Sequence, residues 1–331
     1  MIVSIIRKKA LITGITGQTG SYLTELLLDK DYEVHGLVRR HHSGYGTLNN
    51  ILHLVQNNEI YRKRLFLYSG DLTDSSSLYR VIADVRPDEI YNLAAQADVQ
   101  ESFLQPVYSL DVNGTSVIRL LEAVKQLHPT ARLYQASTSE LFGNTDEFPQ
   151  KETTRMVPQS PYSIGKLAGF HSVKKYREMY GLFACNGILF NHESPRRGDD
   201  YVTRKITKAL ARIKFGKQKE LRLGNLEAKR DWGYAKEYAE AAWMILQLSK
   251  PMDFVIGTGE THTVDEWLTE ALNLTGVNRD VVVSDPALFR PAEVYELCAD
   301  YSKAKEILKW EPKVKFKELV KMMVEHDLNN V

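Results

Sequence analysis

The chain has 331 residues, 43% of them hydrophobic and 26% charged. These proportions suit a globular protein with a substantial core, in one large or two medium domains. Forty-three basic side chains against 42 acidic ones leave a net charge of +1, so no global field draws the protein to nucleic acid or a membrane surface. No apolar run approaches the roughly 18 residues of a membrane span, and the opening Met-Ile-Val-Ser-Ile-Ile-Arg-Lys-Lys is too short for a signal core. The two cysteines, Cys185 and Cys298, build no disulfide framework. The expectation is a cytoplasmic enzyme with no metal, membrane or nucleic-acid partner.

Lys9 to Thr13 reads as a short apolar strand. Gly14-Ile-Thr-Gly17-Gln-Thr-Gly20 follows, and then Tyr22, Leu23, Leu26 and Leu27 recur at helical spacing. Strand, glycine-rich turn and helix is the context in which a dinucleotide pyrophosphate meets a helix N-terminus, the glycines allowing close backbone approach. A second strand, Glu33 to Val38, ends in Arg39-Arg40. The residue at this point faces the adenosine ribose in a doubly wound fold. An acid there would accept from the 2′-hydroxyl of NAD, whereas arginines suit a 2′-phosphate, so the expected cofactor is NADP. The histidines of His-His-Ser-Gly-Tyr-Gly (41–46) lack any partner spacing for a metal.

Arg64 to Ser69 is a third strand, closed by Gly70-Asp71-Leu72-Thr73. Asp71 either accepts from the adenine amino group or caps the helix predicted over 75–85. Glu89 to Leu93 is a fourth strand, with small residues at its end in Ala94-Ala95-Gln96. A helix near 106–126, a fifth strand over Arg132 to Ala136, a helix over 161–180 and a sixth strand over Phe183 to Phe190 complete the alternation. The rhythm predicts an α/β fold: a Rossmann-type doubly wound parallel sheet over residues 1–190, with a smaller mixed α/β substrate-binding domain over 191–331, some segments of which return to the sheet. In that second part a polar loop (191–198) precedes a basic amphipathic helix near 202–215. Arg196, Arg197, Arg204, Lys205, Arg230 and Arg290 stand in loops or at helix starts, the composition expected where a phosphate-bearing substrate is gripped.

Between these parts lies a set of groups for moving hydride and protons. Tyr162 and Lys166, one helical turn apart, share a helix face. The phenol is a poor base at its ordinary pKa of about 10. The lysine charge, with that of a nicotinamide ring, can bring it toward neutrality, a shift of roughly 3 units or about 4 kcal/mol. Thr138, placed just after the fifth strand, can hydrogen-bond the reacting oxygen. Glu140 asks for more than oxidation. Converting a sugar hydroxyl to a ketone acidifies the neighbouring C–H, and a carboxylate that removes that proton permits loss of a hydroxyl one carbon further on. Reduction or epimerisation needs no such group, so Glu140 predicts elimination.

The motifs Gly14 to Leu28, Gly70-Asp-Leu-Thr-Asp74, Ala136-Ser-Thr-Ser-Glu140, Ser160-Pro-Tyr162 to Lys166, Ala184 to Gly198, Val202-Thr-Arg-Lys-Ile206, Arg230-Asp-Trp-Gly233 and Phe289-Arg-Pro-Ala-Glu-Val294 resemble the extended short-chain dehydrogenase/reductase family, and within it the GDP-mannose 4,6-dehydratases. The resemblance implies conversion of GDP-mannose to GDP-4-keto-6-deoxy-mannose and water, with NADP recycled internally, in a homodimer or homotetramer. It implies Thr138, Glu140, Tyr162 and Lys166 as catalytic residues, with Ser139 standing where glucose-nucleotide dehydratases place an acid, so that Glu140 serves as both acid and base. For the cofactor it implies Gly14, Thr16, Gly17, Gln18, Thr19, Gly20, Arg39, Arg40, Asp71, Leu72, Leu93, Ala95, Tyr162, Lys166, His192 and Arg197. For the nucleotide sugar it implies Ser139, Glu140, Asn191, Val202, Lys205, Arg230, Arg290 and Glu293. Ala97-Asp98 replaces a serine-containing pair beside the sugar, which keeps a GDP-heptose as the alternative substrate, with an epimerase or reductase on the same scaffold as the alternative reaction.

Overall fold

The computed structural model describes residues 7–39, 48–289 and 291–331, so the Arg40 and Arg290 assignments and the His41-His42 pair lie outside the described residues. Strands β1 (Lys9–Thr13), β2 (Glu33–Val38), β3 (Leu65–Ser69), β4 (Glu89–Asn92), β5 (Arg132–Thr138) and β6 (Ala184–Leu189) join Phe254–Ile256 in one seven-stranded sheet. The order is Phe254–Ile256, β6, β5, β4, β1, β2, β3. Ile12 pairs with Gly36 on one side and Tyr91 on the other, and Tyr91 with Tyr134, each in parallel register. The chain winds outward in both directions from the β1–β4 junction, the switch point at which such sheets bind ligands beyond their carboxyl ends. β1, β2 and β4 are buried along almost their whole length, as strands covered by helices on both faces must be.

Two elements differ from the sequence expectation. β5 continues through Ser137 to Thr138, both buried, so Thr138 is the last strand residue and not a residue beyond it. The single helix expected near 106–126 is three pieces: Pro106–Leu110, a π-helical turn Asp111–Thr115, and Ser116–Leu127. A short helix, Val99–Leu104, precedes them, capped by Asp98, whose carboxylate accepts the Gln100 and Glu101 N–H groups. The π turn lies against the helix Pro161–Tyr180, where a Cβ on Gly169 would come within 2.9 Å of the Asn113 carbonyl oxygen. Glycine there is what permits so close a crossing.

The chain forms two compact units. The first comprises the described residues of 1–141, 160–188 and 239–254, and its core joins Leu11, Ile90 and Leu133 of the sheet to Ile82, Leu120, Leu121, Val124 and Val173 of the helices. Residues 239–254 are held by two buried carboxylates. Glu89 accepts from Gln247, Tyr32 and Tyr91, and Asp253 meets Arg177 through two parallel hydrogen bonds of 2.9 and 2.7 Å. The second unit comprises the described residues of 142–159, 189–238 and 255–331. Its helices Val202–Lys214, Val264–Thr275 and Phe316–Leu328 pack about Trp232, Trp267 and Phe316, and its buried Asp231 accepts from Thr258, Gly259 and Ala299.

Candidate active site

In the first unit the carboxyl ends of β1, β4 and β5 bring the sequence-predicted groups to one edge of the sheet. Gly14 has φ +70°, and a Cβ there would lie 2.8 Å from the Ala94 nitrogen. A Cβ on Gly20 would lie 2.2 Å from the Gly14 carbonyl oxygen, so helix Gln18–Asp29 can start only against bare backbone. Gly17 is its N-cap, with no side-chain oxygen capping the first turn. A bare turn feeding a positive helix end fits a pyrophosphate. Thr16 carbonyl accepts from Asn50 at 3.1 Å, Thr19 follows in the first turn, Arg39 donates to the Tyr108 hydroxyl at 2.8 Å, and Leu93 and Ala95 are half-buried beyond β4. The capping reading of Asp71 is corrected. Asp74 is the N-cap of Ser75–Val85, while Asp71 accepts from the Thr73 N–H and hydroxyl at 2.9 and 2.8 Å, and Leu72 is buried.

Thr138, Ser139, Glu140, Tyr162 and Lys166 are all buried. β5 ends in the 3-10 turn Ser139–Leu141, where the Glu140 N–H donates to the Thr138 hydroxyl at 3.2 Å; the hydroxyl proton of Thr138 remains for another acceptor. Ser160 caps the following helix through a reciprocal box with Ser163, which sets Tyr162 in the first turn. Lys166 donates to the Ala136 carbonyl at 2.9 Å, with its nitrogen 6.0 Å from the centre of the Tyr162 ring. Burial pushes its pKa down to about 8.

Beneath this set runs a chain of buried hydrogen bonds that the motifs did not single out. The Ala94 N–H donates to Thr13, Thr13 to Asn92, Asn92 to Gln135, and Gln135 to the same Ala136 carbonyl that holds Lys166. The legible signal was a polar residue within each of three buried strands, Thr13, Asn92 and Gln135, since a buried amide is retained only where it is bonded.

Of the residues assigned to the nucleotide sugar, Ser139 and Glu140 lie in the first unit, and the second unit carries Asn191, Val202, Lys205, Arg230 and Glu293, together with His192 and Arg197. Strand Asn191–Glu193 pairs with Trp232–Tyr234. His192 Nδ1 faces the Phe190 carbonyl at 3.0 Å, which can only accept, so that nitrogen carries the proton. Burial and the Arg197 charge push its pKa down to about 4, leaving the ring neutral. Arg230, 6% exposed, donates to the Val294 carbonyl at 2.7 Å and to Glu293 at 3.1 Å, so two predicted substrate residues touch one another. Val202 is exposed at the start of its helix, and Lys205 lines a cleft of about 360 Å³ in which Lys208 and Arg222 are paired with Asp199 and Glu220. Arg204 departs from the group of phosphate-gripping arginines: it is buried in a 2.9 Å ion pair with Asp327.

Residues 11–323 match the family model described as GDP-mannose 4,6 dehydratase. GDP-mannose 4,6 dehydratase 2 of Arabidopsis thaliana is 55% identical, covering 97% of this chain and 87% of the relative. GDP-mannose 4,6-dehydratase of Vibrio cholerae is 48% identical, covering 97% and 94%. Among solved structures, UDP-glucose 4-epimerase of Thermotoga maritima with UDP-glucose superposes with a TM-score of 0.83 at 27% identity, covering 97% of this chain and 99% of that one. With the glycine-rich turn, the Tyr162–Lys166 helix and Glu140 in place, a match of this extent shows that the chain belongs to the GDP-mannose 4,6-dehydratase family.

Proposed function

We propose that the protein converts GDP-mannose to GDP-4-keto-6-deoxy-mannose and water, with NADP as a bound, recycled cofactor. The observation that carries this reading is a buried carboxylate, Glu140, two residues after Thr138 and on the same strand end as the Lys166 anchor. The glycine turn, with its bare helix start, and Arg39 would hold the cofactor, joined by His192 and Arg197. Bound there, NADP supplies a hydride acceptor for C4 and a hydride donor for C6.

The chain's own groups handle the protons. Tyr162 takes the C4 hydroxyl proton, with Thr138 donating to that oxygen and the Lys166 charge favouring the phenolate. Glu140 removes the C5 proton from the resulting ketone and delivers it to the departing C6 hydroxyl, which leaves as water; one carboxylate suffices because Ser139 offers no second acid. Tyr162 then returns its proton to C5, and the protons balance. Asn191, Val202, Lys205, Arg230 and Glu293 hold the nucleotide. Two buried, free cysteines suit the cytoplasm as the working compartment. Among the described residues no helix is long and apolar enough to cross a membrane. Exposed Leu104, Val107, Leu110, Ile118 and Ile164, on packed helices of the first unit, support assembly with a second copy.

The test is to incubate the protein with GDP-mannose and NADP+ and to follow product mass, with a GDP-heptose, UDP-glucose and CDP-glucose alongside. Loss of one water from GDP-mannose without net NADPH is expected; an unchanged mass sinks the reading. Glu140→Gln should bind substrate yet lose water at least 10²-fold more slowly.

A further inference from the structure

Thr13, Asn92 and Gln135 form one row across the sheet. Thr13 and Asn92 are register partners on β1 and β4, and Asn92 and Gln135 on β4 and β5. Two residues earlier, on the same face, the row is Leu11, Ile90 and Leu133, part of the apolar core of the first unit. A row that only filled its layer would continue in aliphatic side chains, and the backbone ladder already joins the three strands. Instead these side chains are at most 3% exposed and bonded from end to end. The Ala94 N–H can only donate and the Ala136 carbonyl can only accept, so the bonds between them run one way, through Thr13, Asn92 and Gln135 in turn. Turning the Gln135 amide over would set its oxygen against the Ala136 carbonyl oxygen. The row therefore keeps one arrangement. Its last member, Gln135, donates at 3.0 Å to the carbonyl that takes the Lys166 ammonium at 2.9 Å. The β4–β5 ladder ends with the Asn92–Gln135 pair, one residue before that carbonyl, so the Gln135 side chain extends the hold on β5 to the lysine's anchor.

We propose that Gln135 is a positioning residue for Lys166, fixing through the Ala136 carbonyl the place from which the lysine charge acts on Tyr162. The inference rests on the catalytic role given to Lys166 above. Turnover of GDP-mannose, its KM and NADPH affinity are compared in the wild type, Gln135→Met, Lys166→Met and the double variant, with circular dichroism to verify folding. Gln135→Met keeps the length of the side chain and removes its donor. Its kcat should fall about tenfold, since small displacements of a catalytic group cost up to about 10²-fold. KM and NADPH affinity should stay within about twofold, and the same substitution should cost less than about twofold in the Lys166→Met background. Wild-type kcat in Gln135→Met, a loss that falls on KM or NADPH affinity instead, or an equal loss in both backgrounds overturns the proposal and leaves the polar row a clamp between strands. A wild type that leaves GDP-mannose unchanged, or a Lys166→Met variant that turns over as the wild type does, sinks the reading of the site and the proposal with it. Should Gln135→Met not fold, Asn92→Leu combined with Gln135→Met takes its place, because removing both partners leaves no orphaned amide between them, and the same outcomes decide.

Discussion

Lys166 sits where its own charge is least welcome. Its folded pKa of about 8 lies below the ordinary 10.5, so between those values the unfolded chain binds a proton that the folded protein has released. The stability at this position therefore rises with pH across that window, and below it the fold bears the full cost of the buried ammonium, roughly 3 kcal/mol. Lys166→Met should accordingly unfold at higher urea than the wild type at pH 7. The difference should narrow by pH 10, while turnover at pH 7 falls by about 10³-fold. A variant destabilised at pH 7 would show that the Ala136 hydrogen bond outweighs desolvation. That carbonyl also accepts from Gln135, which argues the opposite. Tyr162, Lys166 and Glu140 were legible because side-chain type and spacing carry their chemistry. The Ala136 carbonyl was not, because a backbone acceptor has no signature in sequence. Asp71 misled as a cap because Asp74, three residues later, is equally able to accept from a helix start and lies closer to it.

Strands and the catalytic helix were readable from period and punctuation alone. β1, β2, the helix Ser75–Val85 and the helix Pro161–Tyr180 fall where alternation, caps and proline put them. The π turn Asp111–Thr115 was not readable, since the apolar spacing on either side of it is that of an ordinary helix. It packs against a partner far along the chain, at Gly165 and Gly169. In an exposed helix, Gly→Ala stabilises by up to about 1 kcal/mol. At Gly169 a Cβ would press on the Asn113 carbonyl oxygen at 2.9 Å and on Val117 at 3.0 Å. Both lie in or beside the turn, and Asn113 is also committed to hydrogen bonds with both backbone groups of Gln96. Overpacking of this kind costs about 1–3 kcal/mol, enough to reverse the propensity gain. Gly169→Ala should therefore unfold at lower urea than the wild type with an unchanged m-value. A stabilised variant would mean that the π turn yields freely.

At the scale of the whole molecule, what needs explaining is an apolar surface. Leu104 is 75% and Val107 80% exposed, with Ile164 at 50%, whereas the chain as a whole carries nearly balanced charge. Single exposed apolar residues are ordinary, whereas several on adjoining helices make a surface that a partner could cover. A neutral molecule has little net repulsion with which to keep such surfaces apart. A symmetric pair meets this with one patch, each copy covering the other, and about 800 Å² per partner makes a stable interface. If two copies pair through this patch, replacing Leu104 and Val107 together by Glu would place like charges in the shared surface. The mass in sedimentation should then fall to the 37.8 kDa of one chain. The wild type should melt at a temperature that rises with protein concentration, and the variant at one that does not. A wild type already at one chain mass, or a variant that keeps the wild-type mass, would assign the patch to some other partner.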